Sequence, residues 1–285
     1  MAEVATFAMS DQLLVVIDPI ARRTDGESVR IAKDVLSAGA VTKVCLPEGP
    51  DEFARALARR GSRRPVVVGD DGALTRAVAL LHRQRQLAEC SLSVVPVGGA
   101  LALAGSLGVP TGAVAAARAV LDGVERRLDL LVDDSDGVVL GGLRIPPIRD
   151  PAAPDGATAV GPGGRPWLRT CQSLVRTLVP PRGPSPDASP GPSRLRVEVD
   201  GATLVDLDQP VEAVSVTPGI AGLAEVEVRP VSVGAEASSL RAEGRTVTVS
   251  GAHFRYRADT AVSGPVRRRT WTVGEGALRL VLPGR

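Results

Sequence analysis

Val66-Val67-Val68-Gly69-Asp70-Asp71-Gly72-Ala73-Leu74 is a β-branched run that ends in a glycine turn and passes at once into a helix-like stretch over 74–86. A strand that enters a helix through glycines leaves free backbone N–H groups at the helix start. Hydrogen bonding and the helix dipole both favour an anion there. The same residues also suit a plain tight βα turn with Asp71 as the helix cap. The surroundings of the turn decide how it is read.

Upstream, Leu13-Leu14-Val15-Val16-Ile17 is a short apolar run of the kind buried on both faces, and it ends at Asp18-Pro19. A helix over 28–38 follows, with Val29, Ala32 and Leu36 on one face, then a strand over 41–46. Asp51 is read as the cap of a helix reaching residue 60, with Phe53 and Leu57 inward. Downstream of the turn come a strand over 92–95, a loop with Gly98-Gly99, a short helical piece over 100–107 and a helix over 113–124. Strands alternating with helices predict a doubly wound parallel sheet covered on both faces. Ligands of such sheets lie beyond the carboxyl ends of the strands, where Asp18, Asp70, Asp71, Gly98 and Gly99 all fall.

Near Arg126 the pattern changes to short alternating strands, so the chain divides into an α/β domain over 1–125 and an all-β domain, a β-sandwich, over 126–285. Strands over 128–132 and 138–143 flank Asp133-Asp134-Ser135-Asp136-Gly137, read as a solvated hairpin turn. A Pro/Gly-rich loop covers 146–166, a weakly amphipathic helix 167–178, and a mobile Pro-rich loop 179–193. The later strands are expected over 194–199, 203–205, 211–216, 224–228, 246–249, 254–257, 269–273 and 278–282.

The net charge of +2 gives no bulk attraction to nucleic acid, and six aromatic residues cannot build a base-stacking platform. Cys45, Cys90 and Cys171 are odd in number and lack metal spacing, which fits buried thiols in a reducing cytoplasm. His82 is read as a helix-surface residue and His253 as a strand residue, without a motif around either. Residues 1–10 lack the features of a secretory signal, and no apolar run is long enough for a membrane span.

Taken together, the order of these pieces resembles the diacylglycerol kinase catalytic family, fold relatives of the NAD kinases, most clearly from Leu13 to Asp129. Asp18-Pro19 holds the place of that family's Asn-Pro strand end. Gly69-Asp70-Asp71-Gly72-Ala73 stands where the family has Gly-Gly-Asp-Gly-Thr, the turn that takes nucleotide phosphates. Pro96-Val97-Gly98-Gly99-Ala100-Leu101-Ala102-Leu103-Ala104 stands in place of Pro-x-Gly-Thr-x-Asn-Asp-x-Ala. The resemblance implies ATP and Mg²⁺ as cofactors and a phosphate site made of Asp18, Gly69, Asp70, Asp71, Gly72, Ala73, Gly98 and Gly99.

The departures from the family pattern fall on the chemistry. Asp70 replaces a glycine and sets a carboxylate against an anion of the same sign, a repulsion on the order of several kcal/mol without a bridging cation. Ala73 lacks the threonine hydroxyl, Arg76 replaces an acid, and Leu101-Ala102 replaces Asn-Asp. The family's late Asp-Gly-Glu is read as lost, with Ser263-Gly264-Pro265 in its place, and its Asp-Asp-Gly finds no counterpart within 233–244. The expectation is a non-catalytic relative of the lipid kinases that binds a nucleotide, another small anionic ligand or a protein partner. Arg22, Arg23 and Arg76 are candidates for the anion's charge. Two alternatives stay open: an active lipid kinase with Asp70 and Asp71 holding Mg²⁺, and an interaction module such as a homodimer paired through β-domain edges.

Overall fold

The computed structural model describes residues 12–147, 192–231 and 238–284. The readings for 1–10 and 167–178 lie outside these residues, and those for 146–166 and 179–193 lie almost wholly outside them.

The first domain runs β1 (Leu13–Ile17), α1 (Pro19–Thr24), α2 (Gly26–Gly39), β2 (Thr42–Cys45), α3 (Pro50–Ala58), β3 (Arg64–Gly69), α4 (Asp71–Arg83), β4 (Ser93–Pro96), α5 (Ala102–Ser106) and α6 (Ala113–Asp122). Its four strands are parallel, in the order β2-β1-β3-β4. The unbroken apolar runs of β1 and β3 reflect burial on both faces. Leu13, Val15, Ile17, Val66, Val68 and Val95 share a core with α1, α2 and α6. Leu14, Val16, Val67 and Val94 share another with Phe53, Leu57, Leu74 and Leu81 of α3 and α4. Because β1 leads to β2 on one side and β3 lies on the other, the strand order reverses between β1 and β3. The carboxyl ends of these two strands form the switch-point crevice where α/β sheets bind ligands.

The second domain is antiparallel: β5 (Val124–Asp133), β6 (Val138–Val139), β7 (Leu143–Ile145), β8 (Ser193–Val199), β9 (Ala202–Val205), β10 (Pro210–Pro218), β11 (Ala224–Pro230), β12 (Leu240–Gly244), β13 (Thr246–Ala258) and β14 (Ala261–Leu282). Its main path is β12-β11-β10-β7-β13-β14-β5-β6, and β8 also joins β10 to β13. The strands enclose one apolar core in which Tyr256 meets Trp271 edge-on, their ring centroids 5.2 Å apart.

Two pairs of strands expected as separate are continuous. Bulges between Ser250 and Phe254, and between Gly274 and Leu278, interrupt the inward-outward alternation, so β13 and β14 each read in sequence as two short segments. β12 was missed because an outermost strand of sequence Leu-Arg-Ala-Glu-Gly has little apolar pattern to show. The helix start assigned to Asp51 lies at Gly49, with Pro50 in the first turn, where its missing N–H costs nothing.

The end of the chain returns to the first domain. Leu278 to Leu282 pair with β5, Leu92 bridges to Leu280, and Leu278, Leu280 and Leu282 lie in the core of α3 and α4. His82, read as a helix-surface residue, lies part-buried in the last turn of α4. Its Nε2 lies 2.9 Å from Asp136 Oδ1, which ties α4 to the β5–β6 turn. That turn is exposed at Asp134, Ser135 and Asp136, as read, and Asp133 Oδ1 braces it by accepting from the N–H groups of Ser135 and Gly137.

Candidate functional site

The carboxyl edge of the parallel sheet opens into a cleft of about 1100 Å³ against the second domain. One wall carries Asp70, Asp71 and the segment from Gly99 to Leu103. The other carries Gly141 to Arg144, Ser215, Thr217, Arg257 and Asp259.

On the first wall the helix cap is Asp70, one residue earlier than expected. Its Oδ1 accepts from the N–H of Ala73 at 3.0 Å, the usual reach of an N-cap to the third helical residue. Gly69 leaves no room for a side chain, since a Cβ there would lie 2.6 Å from Ala73 Cβ and 3.0 Å from Asp18 Cβ. Gly98 has φ +126°, a conformation that glycine adopts without steric cost, and it brings the loop after β4 against Asp70.

Asp71 is only 2% exposed. Its two carboxylate oxygens accept from the N–H groups of Leu103 and Ala104, each at 2.9 Å, while its own N–H donates to Ala100 O at 2.8 Å. Helix α5 has Leu101 at its N-cap position, which offers no side-chain acceptor, so Asp71 supplies that function from another element. The carboxylate and the Leu101-Ala102 replacement are therefore parts of one local arrangement.

Asp18 is 1% exposed at the end of β1. One oxygen caps α1 through the N–H of Ile20, and the other pairs with Arg76 Nη1 at 2.6 Å. The Arg76 guanidinium also lies 5.6 Å from the centre of the Phe53 ring. Arg76 is thus neither a solvated surface residue nor a charge left over for a ligand. Arg22 and Arg23 are exposed in the last turn of α1 and do not line the cleft.

Sequence reasoning missed every polar residue of the second wall. Asp259 sits at the β13–β14 turn with φ +48°. Its Oδ2 accepts from the N–H of Leu140 at 2.8 Å, and its Oδ1 from Gly141 and Gly142 at 2.7 and 3.1 Å. Burial pushes its carboxyl group above the ordinary range; the three N–H bonds oppose that shift and the nearby Asp71 charge adds to it. The Ser263-Gly264-Pro265 segment, read as holding the place of a lost acid, lies inside β14, while Asp259 and Thr260 form the turn that lines the cleft. An aspartate in a short break between two alternating runs is a hairpin-turn signal, and it marked this residue in the sequence.

A parallel α/β domain joined across a ligand-sized cleft to an antiparallel domain defines a two-domain scaffold with its site at the switch point. Residues 12–132 match the family profile described as the diacylglycerol kinase catalytic domain. A crystal structure of a protein assigned as a diacylglycerol kinase from Bacillus anthracis str. Sterne matches with a TM-score of 0.67. It shares 12% identity, and the match covers 96% of this chain and 98% of that one. Another structure, titled as that of a diacylglycerol kinase from the same organism, matches at 0.66 with 11% identity over 96% and 97% of the two chains. No functionally curated protein matches the sequence. Among the described residues, no helix is long and apolar enough to cross a membrane.

Proposed function

We propose that this chain is a non-catalytic member of the diacylglycerol kinase family that uses the interdomain cleft to bind a small anionic ligand. The observation that carries the reading is the Asp70 carboxylate at the N-terminus of α4. The helix-end N–H group of Ala73, which an incoming phosphate would need, already has a carboxylate oxygen at 3.0 Å. A second anion there would meet like charge as well as a missing donor.

The residues present do not suit Mg²⁺-ATP. Both oxygens of Asp71 are held by backbone N–H groups, and Asp70 Oδ1 faces the helix end. Among the described residues, no group of three or more His, Cys, Asp or Glu side chains is placed to hold a metal ion. Phosphoryl transfer depends on placing and neutralising charge, so a turn that repels phosphate and lacks a cation site removes most of the catalytic advantage. Leu101, Ala102 and Leu103 add apolar lining on the same side.

Incubation of the purified protein with labelled ATP, Mg²⁺ and diacylglycerol is expected to yield no phosphatidate above a heat-denatured control. Sustained turnover would overturn the reading. One observation favours the active alternative: Asp259 lies in the cleft with a raised proton affinity, as a proton acceptor for an alcohol would. Under that alternative, phosphatidate forms in the same assay and Asp259→Asn abolishes it.

A further inference from the structure

The parallel sheet of the first domain ends at β2, and among the described residues no strand pairs with its outer side. Val41 O accepts from the N–H of Leu13 at 2.9 Å, so the backbone groups of Val41 and Lys43 point towards β1. Backbone groups alternate in direction along a strand, which turns the N–H and C=O of Thr42 and Val44 outward. Val41 and Leu46 are exposed along this border, at 61% and 52%, and Val44 lies between them at 36%. An open edge with exposed apolar side chains is a template for another strand.

Beside the edge lies a groove of about 370 Å³ between β2 and α3. Leu14, Cys45 and Ala56 give it an apolar floor, and Lys43, Arg55 and Arg59 give it a basic rim. Glu52 is the single acidic side chain of that lining among the described residues. It already faces Arg55 at 3.8 Å and accepts from the N–H of Glu48. Neither Lys43 nor Arg59 has a carboxylate partner among the described residues. Helix α3 returns the chain from the end of β2 to the start of β3 and so runs alongside the strands. Arg55 and Arg59 lie one helical turn apart, about 6 Å along the axis, close to the roughly 6.6 Å between alternate residues of a strand.

We infer that the β2 edge and the α3 groove bind an extended segment of another protein. That segment adds as a strand to β2 and carries acidic side chains at alternate positions, facing Arg55, Arg59 and Lys43. Main-chain bonds to Thr42 and Val44 supply the pairing, and the basic rim selects the charge. A second copy of this chain is a poor occupant. Pairing β2 with itself about a two-fold axis sets both α3 helices on one face, arginines towards arginines and lysine towards lysine. An edge lysine thus turns away a like strand and admits an acidic one. The groove shares no lining residue with the interdomain cleft, so the inference is independent of what the cleft binds.

The test is fluorescence anisotropy of the full chain with a labelled peptide, acetyl-Thr-Val-Glu-Val-Glu-Val-Thr-amide, and with its counterpart carrying lysine for both glutamates. The glutamate peptide is expected to bind at least tenfold more tightly than the lysine peptide, and less tightly as salt is raised. Arg55→Glu combined with Arg59→Glu should weaken it by about tenfold or more. Val44→Pro removes an outward N–H without touching the β1 ladder and should weaken it about threefold or more. Hydrogen exchange at the amides of Thr42 and Val44 should slow when the peptide binds. Thermal melting checks that the variants fold; if Val44→Pro does not, the arginine variant and the exchange rates carry the test.

Equal affinity for the two peptides, unchanged affinity in the arginine variant, unprotected amides at Thr42 and Val44, or no binding would each overturn the inference. Sedimentation of the chain alone tests the other occupant. A dimer that Val44→Pro returns to monomer would place a second copy on the edge and overturn it as well.

Discussion

Replacing Asp71 with alanine separates its structural role from the metal-binding role that the active-kinase alternative gives it. The carboxylate is almost wholly buried and receives two backbone N–H bonds at 2.9 Å from the first turn of α5. Hydrogen bonds to a charged acceptor contribute about 1.5–3 kcal/mol each, and no residue of the α5 N-terminus can replace them. Asp71→Ala should therefore cost about 3–5 kcal/mol, allowing for partial rescue by water entering from the cleft. Asp71→Asn should cost less, about 2–3 kcal/mol, because its carbonyl keeps one bond while its NH₂ group faces the other N–H. At about 2–4 °C per kcal/mol for a chain of this class, the alanine variant should melt about 6–20 °C below the parent. Urea unfolding and thermal melting are to be run in EDTA and again in excess Mg²⁺. The structural account expects the same loss in both. An alanine variant within about 1 kcal/mol of the parent in EDTA, with a deficit that appears only when Mg²⁺ is added, would refute it.

Other perturbations probe the remaining contacts. Arg76→Met leaves the buried Asp18 carboxylate without its cation and should cost about 2–3 kcal/mol, the half-exposed guanidinium moderating the loss; a double-mutant cycle with Asp18→Asn should return a coupling of about 1–3 kcal/mol by urea unfolding. Gly69→Ala sets a methyl group against Ala73 Cβ and Asp18 Cβ and should lower stability by about 1–3 kcal/mol, read as a shift in the urea midpoint. Asp70→Asn keeps a capping oxygen and should hold stability within about 0.5 kcal/mol, whereas Asp70→Ala should lose about 1 kcal/mol. The raised Asp259 group binds its proton more tightly in the folded protein than in the unfolded chain. Its contribution is complete below the unfolded value of 3.8 and is lost as pH rises through the folded value, so the melting gap between the parent and Asp259→Ala should narrow across that window.

Much of the first domain was legible because its signals are local. The run from Val66 to Val68 and the glycine behind it announce a buried strand and a turn, and helix faces repeat with the period of their own backbone. Asp18, Asp70, Asp71, Gly98 and Gly99 could be put at one sheet edge because parallel strands with helical crossovers leave their carboxyl ends together. The second domain was less legible. Bulges in β13 and β14 break the two-residue period, and the short, polar β12 has little apolar pattern to show.

By itself, then, the amino-acid sequence determined the alternation that builds a parallel sheet, the change to short alternating strands near Arg126, and the departures from the family pattern it resembles, Asp70 in place of a glycine and Leu101-Ala102 in place of Asn-Asp. Tertiary structure alone decided what each charge does. Asp71 caps a helix 32 residues away, Arg76 pairs with an acid 58 residues away, and Arg144, Ser215 and Arg257 become neighbours through strand register. Periodicity encodes which face of an element is apolar, but the partner of a polar side chain follows from which elements meet. That is settled by packing across the whole chain, down to the last leucines of β14 closing the core of the first domain.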